Sequence, residues 1–378
     1  MTNTETKNNY KIYSASLEDD KEILYFLKNS PSGGLIQLSL DRGPSFFQSL
    51  EVEGVSNDTI IGRNLQTGEI MGTGGRSEKK CYINGKDDWI GYLGGLRISP
   101  KYRNSLFLWK GYSYLKTLHK KGRAKLYLTT IMADNHLAKK ILTSRRTSLP
   151  TYHDIGNYHT YVVNSKSFQK MQSYNSQISI KQALEQDIPS ILDFFEKTSN
   201  SRQFSPLYTK DDILSDTGIL RGLNISDFLL AYENEKLVGT IALWDQNKFR
   251  RWIIDTYHPF MKIYRPCYNL YARLTSLPIL PKAGSILNYK ILSLVRIEND
   301  REDIWKSILR AVWQYSNNKS NTKLIMAGFH EKDPLLQSFQ EFPNWKFVST
   351  LYCVYWEDEK DCFNSLINKI PYVELGSL

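Results

Sequence analysis

The hydrophobic and polar positions follow the same order in the two halves of the chain. Residues 58–73 (DTIIGRNLQTGEIMGT) and 227–240 (DFLLAYENEKLVGT) each contain an apolar strand, a polar turn and a second strand that ends in Gly-Thr. Apolar runs on both sides of a polar turn predict a β-hairpin in each place. The two turns differ by two residues, a difference that hairpin loops tolerate.

The match between the halves continues beyond the hairpins. The segments LRI (96–98) and VRI (295–297) each end a strand, and a predicted helix and another apolar strand follow both. The last predicted strands, 149–163 and 342–356, align without gaps. A repeat of this length and order indicates two copies of one module. Strands and helices that alternate on a mixed sheet predict an α/β (α+β) fold.

We therefore predict two domains and an insertion. The N-terminal domain covers residues 1–165, a polar linker 166–176, and the C-terminal domain 177–378. The aromatic and basic insertion, 244–285, has three interpretations: a lid or substrate groove, a helix on a membrane surface, or a helical excursion packed on the sheet. The sequence favours the third, in which Arg and Lys stems cover apolar surface.

Composition narrows the class of protein. Hydrophobic residues make up 41% of the 378 residues, which predicts a folded globule. The net charge of +10 fits either a solvated basic surface or an anionic ligand, and because the basic residues are scattered it favours neither strongly. We do not expect nucleic acid as a partner. The four cysteines and six histidines form no C-x-x-C or H-E-x-x-H motif, so we expect neither a metal site nor disulfides. Without an apolar run of about 20 residues, we expect a cytoplasmic protein with no membrane span.

A strand, a turn and a helix follow one another in GYLGGLRISPKYR (91–103) and the residues after it, and a further strand leads to MADNHLAKKIL (132–142). Together with the first hairpin, this order resembles the GCN5-related N-acetyltransferase (GNAT) superfamily. In that family the central strand diverges from its neighbour, and the gap admits the pantetheine arm of acetyl-CoA. Backbone N–H groups of an R/Q-x-x-G-x-G/A turn, at a helix N-terminus, then hold the pyrophosphate. The resemblance implies two tandem GNAT-like domains and acetyl-CoA as the acyl donor.

The resemblance assigns roles to individual positions. A strand segment matches the one that faces pantetheine, the residues after it match the pyrophosphate turn, and an N-x-x-A motif opens the next helix near the cofactor arm. The cofactor-binding residues that it implies are Leu96, Arg97, Ile98, Arg103, Asn104, Ser105, Leu106, Phe107, Leu108 and Asn135.

The sequence departs from the family pattern at three places. Leu106 and Leu108 occupy the two glycine positions of the turn and add bulk where the diphosphate would lie. The tyrosine that often protonates the departing thiolate falls at or near Leu142. The glutamate that often serves as general base on the central strand is missing. Tyr92 is the only titratable side chain within Trp89–Leu93, and we predict it to be catalytic.

The second copy departs further, because its turn, IENDREDIW (297–305), has four carboxylates where a diphosphate would sit. Like charges there oppose phosphate binding, so we expect no CoA in this copy by the usual mode. The leading hypothesis is an N-acyltransferase that moves an acetyl group to a small-molecule or peptide amine. The alternatives are a catalytically inactive GNAT pair that binds a ligand and, with less support, an aminoacyl-tRNA-dependent transferase of the kind found among tandem GNAT-like peptidoglycan-bridge enzymes.

Overall fold

A computed structural model describes residues 9–30, 35–103, 107–144, 149–171, 177–319 and 322–378. The predicted turn residues Asn104, Ser105 and Leu106 lie outside these ranges. The strands are β1 (Tyr10–Ser14), β2 (Ile36–Asp41), β3 (Ser56–Asn64), β4 (Ile70–Ile83), β5 (Lys86–Ile98), β6 (Leu126–Met132), β7 (Thr151–Asn164), β8 (Ile178–Gln182), β9 (Arg202–Gln203), β10 (Ser205–Pro206), β11 (Phe228–Glu233), β12 (Lys236–Trp244), β13 (Arg251–Tyr257), β14 (Tyr289–Ile297), β15 (Leu324–His330), β16 (Asn344–Tyr355) and β17 (Ile370–Pro371). The helices are α1 (Asp20–Lys28), α2 (Phe46–Leu50), α3 (Phe107–His119), α4 (His136–Leu142), α5 (Ile188–Ser199), α6 (Lys210–Leu214), α7 (Pro259–Thr275), α8 (Glu302–Lys319), α9 (Leu336–Gln340) and α10 (Lys360–Asn364).

One large sheet runs through both halves of the described chain. Its order is β1-β3-β4-β5-β6-β16-β7-β15-β14-β12-β11-β8, with β10 against β4, which makes 13 strands. Most neighbours are antiparallel, whereas β5–β6 and β14–β15 are parallel. Helices flank this mixed sheet, so the predicted α/β (α+β) class is confirmed.

The last strand of each half pairs with the opposite half. β16 lies between β6 and β7, and β7 in turn pairs with β15. The two strands that the repeat makes equivalent are therefore neighbours in the middle of the sheet. Phe168, from the predicted linker, is fully buried against Phe339 and Phe342. Strand exchange does not test where one folding unit ends, so the boundaries at 165 and 177 stay a prediction.

Helix α8 buries the face on which apolar residues recur every three or four positions. In α8, Ile304, Trp305, Ile308, Leu309 and Val312 recur at intervals of three and four residues, and each is at most 1% exposed. Glu302 and Asp303 lie in the first turn of α8, where carboxylates interact favourably with the helix dipole. Among the described helices, none is both long and apolar enough to span a bilayer.

The insertion joins the two halves. Its strand β13 pairs with β2 of the N-terminal half as a two-stranded antiparallel ribbon, from Arg251 opposite Asp41 to Tyr257 opposite Ile36. Helix α7 follows the ribbon directly. The insertion is thus anchored to the N-terminal half as well as to the half that contains it.

A buried histidine predicts that stability depends on pH. His119 stacks on Trp356 with ring centroids 4.3 Å apart, and burial lowers its pKa. His119 therefore binds a proton more readily in the unfolded chain than in the folded chain. The free energy of unfolding should fall as the pH drops from about 7.5 to about 5.5. We expect His119→Phe, which keeps the stacking, to flatten this dependence in urea titrations, whereas the exposed-site control His136→Phe should keep the wild-type slope. A His119→Phe slope equal to that of the wild type would contradict the assignment.

Candidate active site

The central strand of the N-terminal half diverges from its parallel neighbour. β5 and β6 pair at Ile90–Leu126, Gly91–Tyr127 and Tyr92–Leu128. Beyond Tyr92, β5 continues along β4 as far as Ile98, whereas β6 continues along β16 as far as Met132. The separation leaves a wedge-shaped gap between two strands of one sheet.

A bulge in β5 lies at the edge of this gap. Thr73 pairs with Arg97, but Gly75 pairs with Gly94, so β5 contains one residue more than β4 over this interval. Gly95 takes up the extra length with a φ of 66°, a conformation that side chains with a Cβ rarely adopt. The Thr73 hydroxyl donates a hydrogen bond to the Gly95 carbonyl oxygen at 2.9 Å, which holds the bulge in place.

The gap is a cavity of about 340 Å³. Glycines of β4 and β5 form much of one wall, and a Cβ atom added at Gly74 would meet only the Leu96 side chain, at 3.8 Å. Helix α3 covers the cavity with Phe107, Leu108 and Leu115. The walls are therefore mostly backbone and apolar side chains, which suits an elongated ligand with few charges.

Charged groups collect at one part of the cavity lining. The Glu53 carboxylate is 7% exposed and accepts a hydrogen bond from Arg42 Nη1 at 2.7 Å. Arg250 Nη2 lies 3.7 Å from the same Glu53 oxygen and also donates to the backbone oxygen of Leu378. The other Glu53 oxygen, Oε2, lies 3.8 Å from the position that a Cβ atom would take on Gly94. A buried carboxylate thus faces the strand next to the bulge.

Burial sets the charge state of the polar groups around this carboxylate. It raises the pKa of Tyr92, and the hydrogen bond between Tyr92 and the Thr130 hydroxyl, at 3.0 Å, only partly offsets that effect. The phenol is therefore protonated at neutral pH. Burial and the nearby Arg42 charge lower the pKa of Arg250 to about 10, so its guanidinium keeps its charge at neutral pH.

The structure places most of the predicted site residues around the cavity. Tyr92 lines it, and so do six of the predicted cofactor residues: Leu96, Arg97, Ile98, Phe107, Leu108 and Asn135. Asn135 also caps α4, because its side-chain oxygen accepts from the Ala138 N–H at 3.1 Å. Arg103 is exposed and does not line the cavity. The roles of these residues stay predictions.

The C-terminal half repeats the bulge, but its gap is filled. Thr240 pairs with Arg296 and Ala242 with Ser293, and the bulged residue is Leu294, with a φ of 51°. Residues 371–375 enter the gap between β14 and β15 and leave a cavity of about 30 Å³. There, Glu374 Oε2 accepts a hydrogen bond from the Leu294 N–H at 2.8 Å. The chain itself provides the occupant of the second gap.

The four carboxylates of the second turn are ion-paired. Glu298 contacts Lys236 at 2.9 Å, and Asp300 contacts Arg202 at 2.6 Å. Glu302 contacts Lys306, and Asp303 contacts Arg301. This turn is therefore a network of ion pairs within the protein.

The sequence did not point to three charged residues at this cavity, of which Glu53 and Arg42 line it and Arg250 contacts Glu53. Glu53 follows α2, Arg42 follows β2, and Arg250 comes from the insertion, so they are distant in sequence from the strand that they surround. No motif marks Glu53 or Arg42. Arg250 and Arg251 are adjacent in the sequence, but such a pair indicates only positive charge and no particular site.

Comparison with solved structures identifies the fold. N-myristoyltransferase of Saccharomyces cerevisiae, in a structure with bound myristoyl-CoA, matches with a TM-score of 0.57, 10% identity and coverage of 92% of this chain and 83% of that chain. The GCN5-related glucosamine N-acetyltransferase region of a fungal multi-domain β-N-acetylglucosaminidase matches with a TM-score of 0.59 and 11% identity, over 92% of this chain and 38% of that chain.

A third match is a protein of Enterococcus faecalis described as a probable N-acyltransferase, with a TM-score of 0.50, 10% identity and coverage of 91% of this chain and 71% of that chain. No protein-family model matches the sequence, and no curated protein does. The diverging strands, the bulge and these matches lead to one conclusion: the chain has the fold of the GNAT acyltransferases.

Proposed function

We propose that the protein is an acyl-CoA-dependent N-acyltransferase whose first cavity holds the donor. The observation that carries the proposal is the open gap between β5 and β6, with a bulge on one side and a buried carboxylate facing it. The pantetheine arm would lie between the strands. The first turn of α3 would attract the pyrophosphate through its N–H groups and the helix dipole.

The filled second gap indicates how the first would bind an acyl group. Leu294 N–H donates to a carboxylate oxygen of Glu374. Gly95 is the bulged residue at the same place in the first half, because Thr73–Arg97 and Thr240–Arg296 are matching pairs. The Gly95 N–H would therefore donate to the thioester carbonyl oxygen, and it would stabilise the negative charge that develops there during attack by an amine.

Glu53 is the proton acceptor in this proposal. An ammonium acceptor must lose a proton before its nitrogen attacks the thioester carbon, and Glu53 Oε2 faces the bulge at which that carbon would lie. The C–S bond then breaks as the C–N bond forms, and CoA leaves as the thiol with the proton that the attacking nitrogen loses. Arg42 and Arg250 hold the carboxylate in place. Tyr92 was the predicted catalytic residue, but its raised pKa keeps the phenol protonated, so it would donate a hydrogen bond and not accept a proton.

A short acyl group suits the lining best. Where β5 and β6 separate, the lining includes Tyr92, Thr130 and Glu53, and a long apolar tail placed there would remove water from the Glu53 carboxylate without giving it a new partner. Acetyl-CoA therefore stays our predicted donor. Binding of donors from acetyl-CoA to myristoyl-CoA tests the acyl length directly.

Gly111 offers a test of the donor site. It lies in α3, lines the cavity, and an added Cβ atom would meet no other atom within 4 Å. Gly111→Trp should fill the gap and raise the dissociation constant of acetyl-CoA at least about 100-fold, a loss of about 2.7 kcal/mol, in isothermal titration. Ser113→Trp, on the exposed side of the same helix, is the matched control and should bind as the wild type does.

The outcomes separate the hypotheses. Binding that Gly111→Trp abolishes, with CoA release in the presence of amines, supports the transferase. Binding without turnover across an amine panel favours the inactive GNAT pair. Equal affinity in the wild type and Gly111→Trp, or no binding at millimolar donor, would exclude the cavity as the donor site.

A further inference from the structure

Helix α7 presents apolar side chains to solvent. We define the α7 stripe as Phe260, Ile263, Tyr264, Leu270, Tyr271 and Leu274. The intervals of three, four and seven residues between them match the helical repeat, so all six lie on one face of the helix. Tyr264 is the least exposed at 47%, and Leu274 is the most exposed at 81%. Amphipathic helices normally turn this face inward, so its outward position requires an explanation.

The opposite face of α7 is firmly attached, so the stripe does not result from a detached helix. The Tyr268 hydroxyl accepts a hydrogen bond from Trp345 Nε1 at 2.8 Å and contacts the Pro278 carbonyl oxygen at 3.1 Å. Asn269 exchanges two hydrogen bonds with Leu280, each 2.9 Å long. Ala272 is 1% exposed. The protein thus fixes the orientation that keeps the α7 stripe outside.

The segment of chain that contains the α7 stripe carries charge of one sign. From residue 256 to residue 297 the sequence contains no Asp or Glu, although it contains six Lys and Arg residues. Lys262 and Arg273 are eleven residues apart, so they lie on the same side of α7, next to the stripe, and both are exposed. Lys282, in the segment after the helix, is exposed as well. The surface therefore combines aromatic and aliphatic groups with uncompensated cations.

We propose that the α7 stripe docks the protein on an anionic membrane surface, with the apolar side chains in the interface and Lys262 and Arg273 at the headgroups. Aromatic and aliphatic side chains partition to the headgroup boundary, and anionic lipids attract the neighbouring cations. A second copy of the chain fits less well. Two such faces would bring like charges together, and this segment offers no carboxylate to pair them. The proposal is independent of the acyltransferase reaction.

Vesicle flotation with the full chain tests the docking. The wild type should bind phosphatidylcholine vesicles that contain about 30 mol% phosphatidylserine, and should bind pure phosphatidylcholine vesicles much less. Ile263→Ser/Leu274→Ser removes two stripe residues that are 80% and 81% exposed and should lower the bound fraction at least about tenfold. Leu17→Ser/Leu65→Ser, at leucines 77% and 61% exposed elsewhere, is the matched control and should bind as the wild type does.

A label at Cys267 reports on the stripe itself. Cys267 is exposed on α7, whereas Cys81 and Cys353 are buried, so Cys362→Ser leaves one accessible thiol for an environment-sensitive fluorophore. Insertion should shift its emission to the blue with anionic vesicles, and Lys262→Glu/Arg273→Glu should abolish the shift. The proposal is overturned if the wild type does not float, or if the serine variant floats equally well. Self-association that the serine variant alone loses, without any vesicle binding, would also overturn it and assign the face to a second copy.

Discussion

Glu53→Gln is expected to lower kcat for N-acylation about 10²–10⁴-fold, the usual contribution of a general base. Glutamine keeps the shape of the side chain and an oxygen that can accept from Arg42, but it cannot take a proton from an ammonium acceptor. The donor contacts backbone and apolar walls in our proposal, so the dissociation constant of acetyl-CoA should change much less than kcat. Steady-state kinetics and isothermal titration on the same preparation separate the two effects.

Glu51→Gln is the matched control for Glu53→Gln. Glu51 is two residues away and pairs with Arg221 at 2.9 Å, outside the cavity lining. Its replacement should leave kcat within about threefold of the wild type, since it touches none of the reacting groups. A Glu53→Gln variant that folds, binds acetyl-CoA and turns over at the wild-type rate would show that another group accepts the proton.

Arg76→Met is expected to lower the free energy of unfolding by about 3–5 kcal/mol, because it breaks a buried ion pair by removing one partner. Arg76 is 6% exposed, and its guanidinium lies 2.8 Å from both Asp58 and Glu78. Glu78 is 3% exposed, so its carboxyl group would be left buried without its arginine partner. Urea unfolding followed by tryptophan fluorescence measures the loss.

A double variant and a surface control identify the cause. Glu78 also accepts from the N–H groups of Arg123 and Ala124, which glutamine can still satisfy. Arg76→Met/Glu78→Gln also removes the unpaired carboxyl group, so its free energy of unfolding should be about 1–3 kcal/mol higher than that of Arg76→Met. Lys360→Met breaks an exposed pair with Glu357 and should cost at most about 1 kcal/mol. A double variant less stable than Arg76→Met would exclude the buried charge as the main cause.

Much of the local structure was predictable because it depends on short-range patterns. The predicted hairpin at 227–240 corresponds to β11 and β12, and the strands predicted to end at Ile98 and Ile297 do end there. Alternating apolar residues, polar turns and helical spacing act within about ten residues of chain, so one sequence shows them. The first cavity was also predictable in part, because the resemblance to the GNAT superfamily had pointed to Leu96, Arg97, Ile98 and Asn135, which line it.

The groups that we expect to react were not predictable in the same way. Arg250 reaches Glu53 only because the β2–β13 ribbon brings the insertion to the N-terminal half. Ion pairs between segments some 200 residues apart leave no periodic signal in a single sequence. The same holds for Glu374, which reaches Leu294 from a segment that no motif distinguishes.

The order of strands and helices and the resemblance to the GNAT superfamily could be read from the sequence, which also predicts a repeat of one module, because apolar spacing and turn chemistry are local properties. Only the folded chain shows that β7 and β16 exchange places, that residues 371–375 fill the second gap and that the α7 stripe faces outward. Each of these outcomes depends on which distant surfaces bury one another. The hydrophobic effect that drives this burial has no direction, so the choice among possible partners is made by the packing of the whole chain.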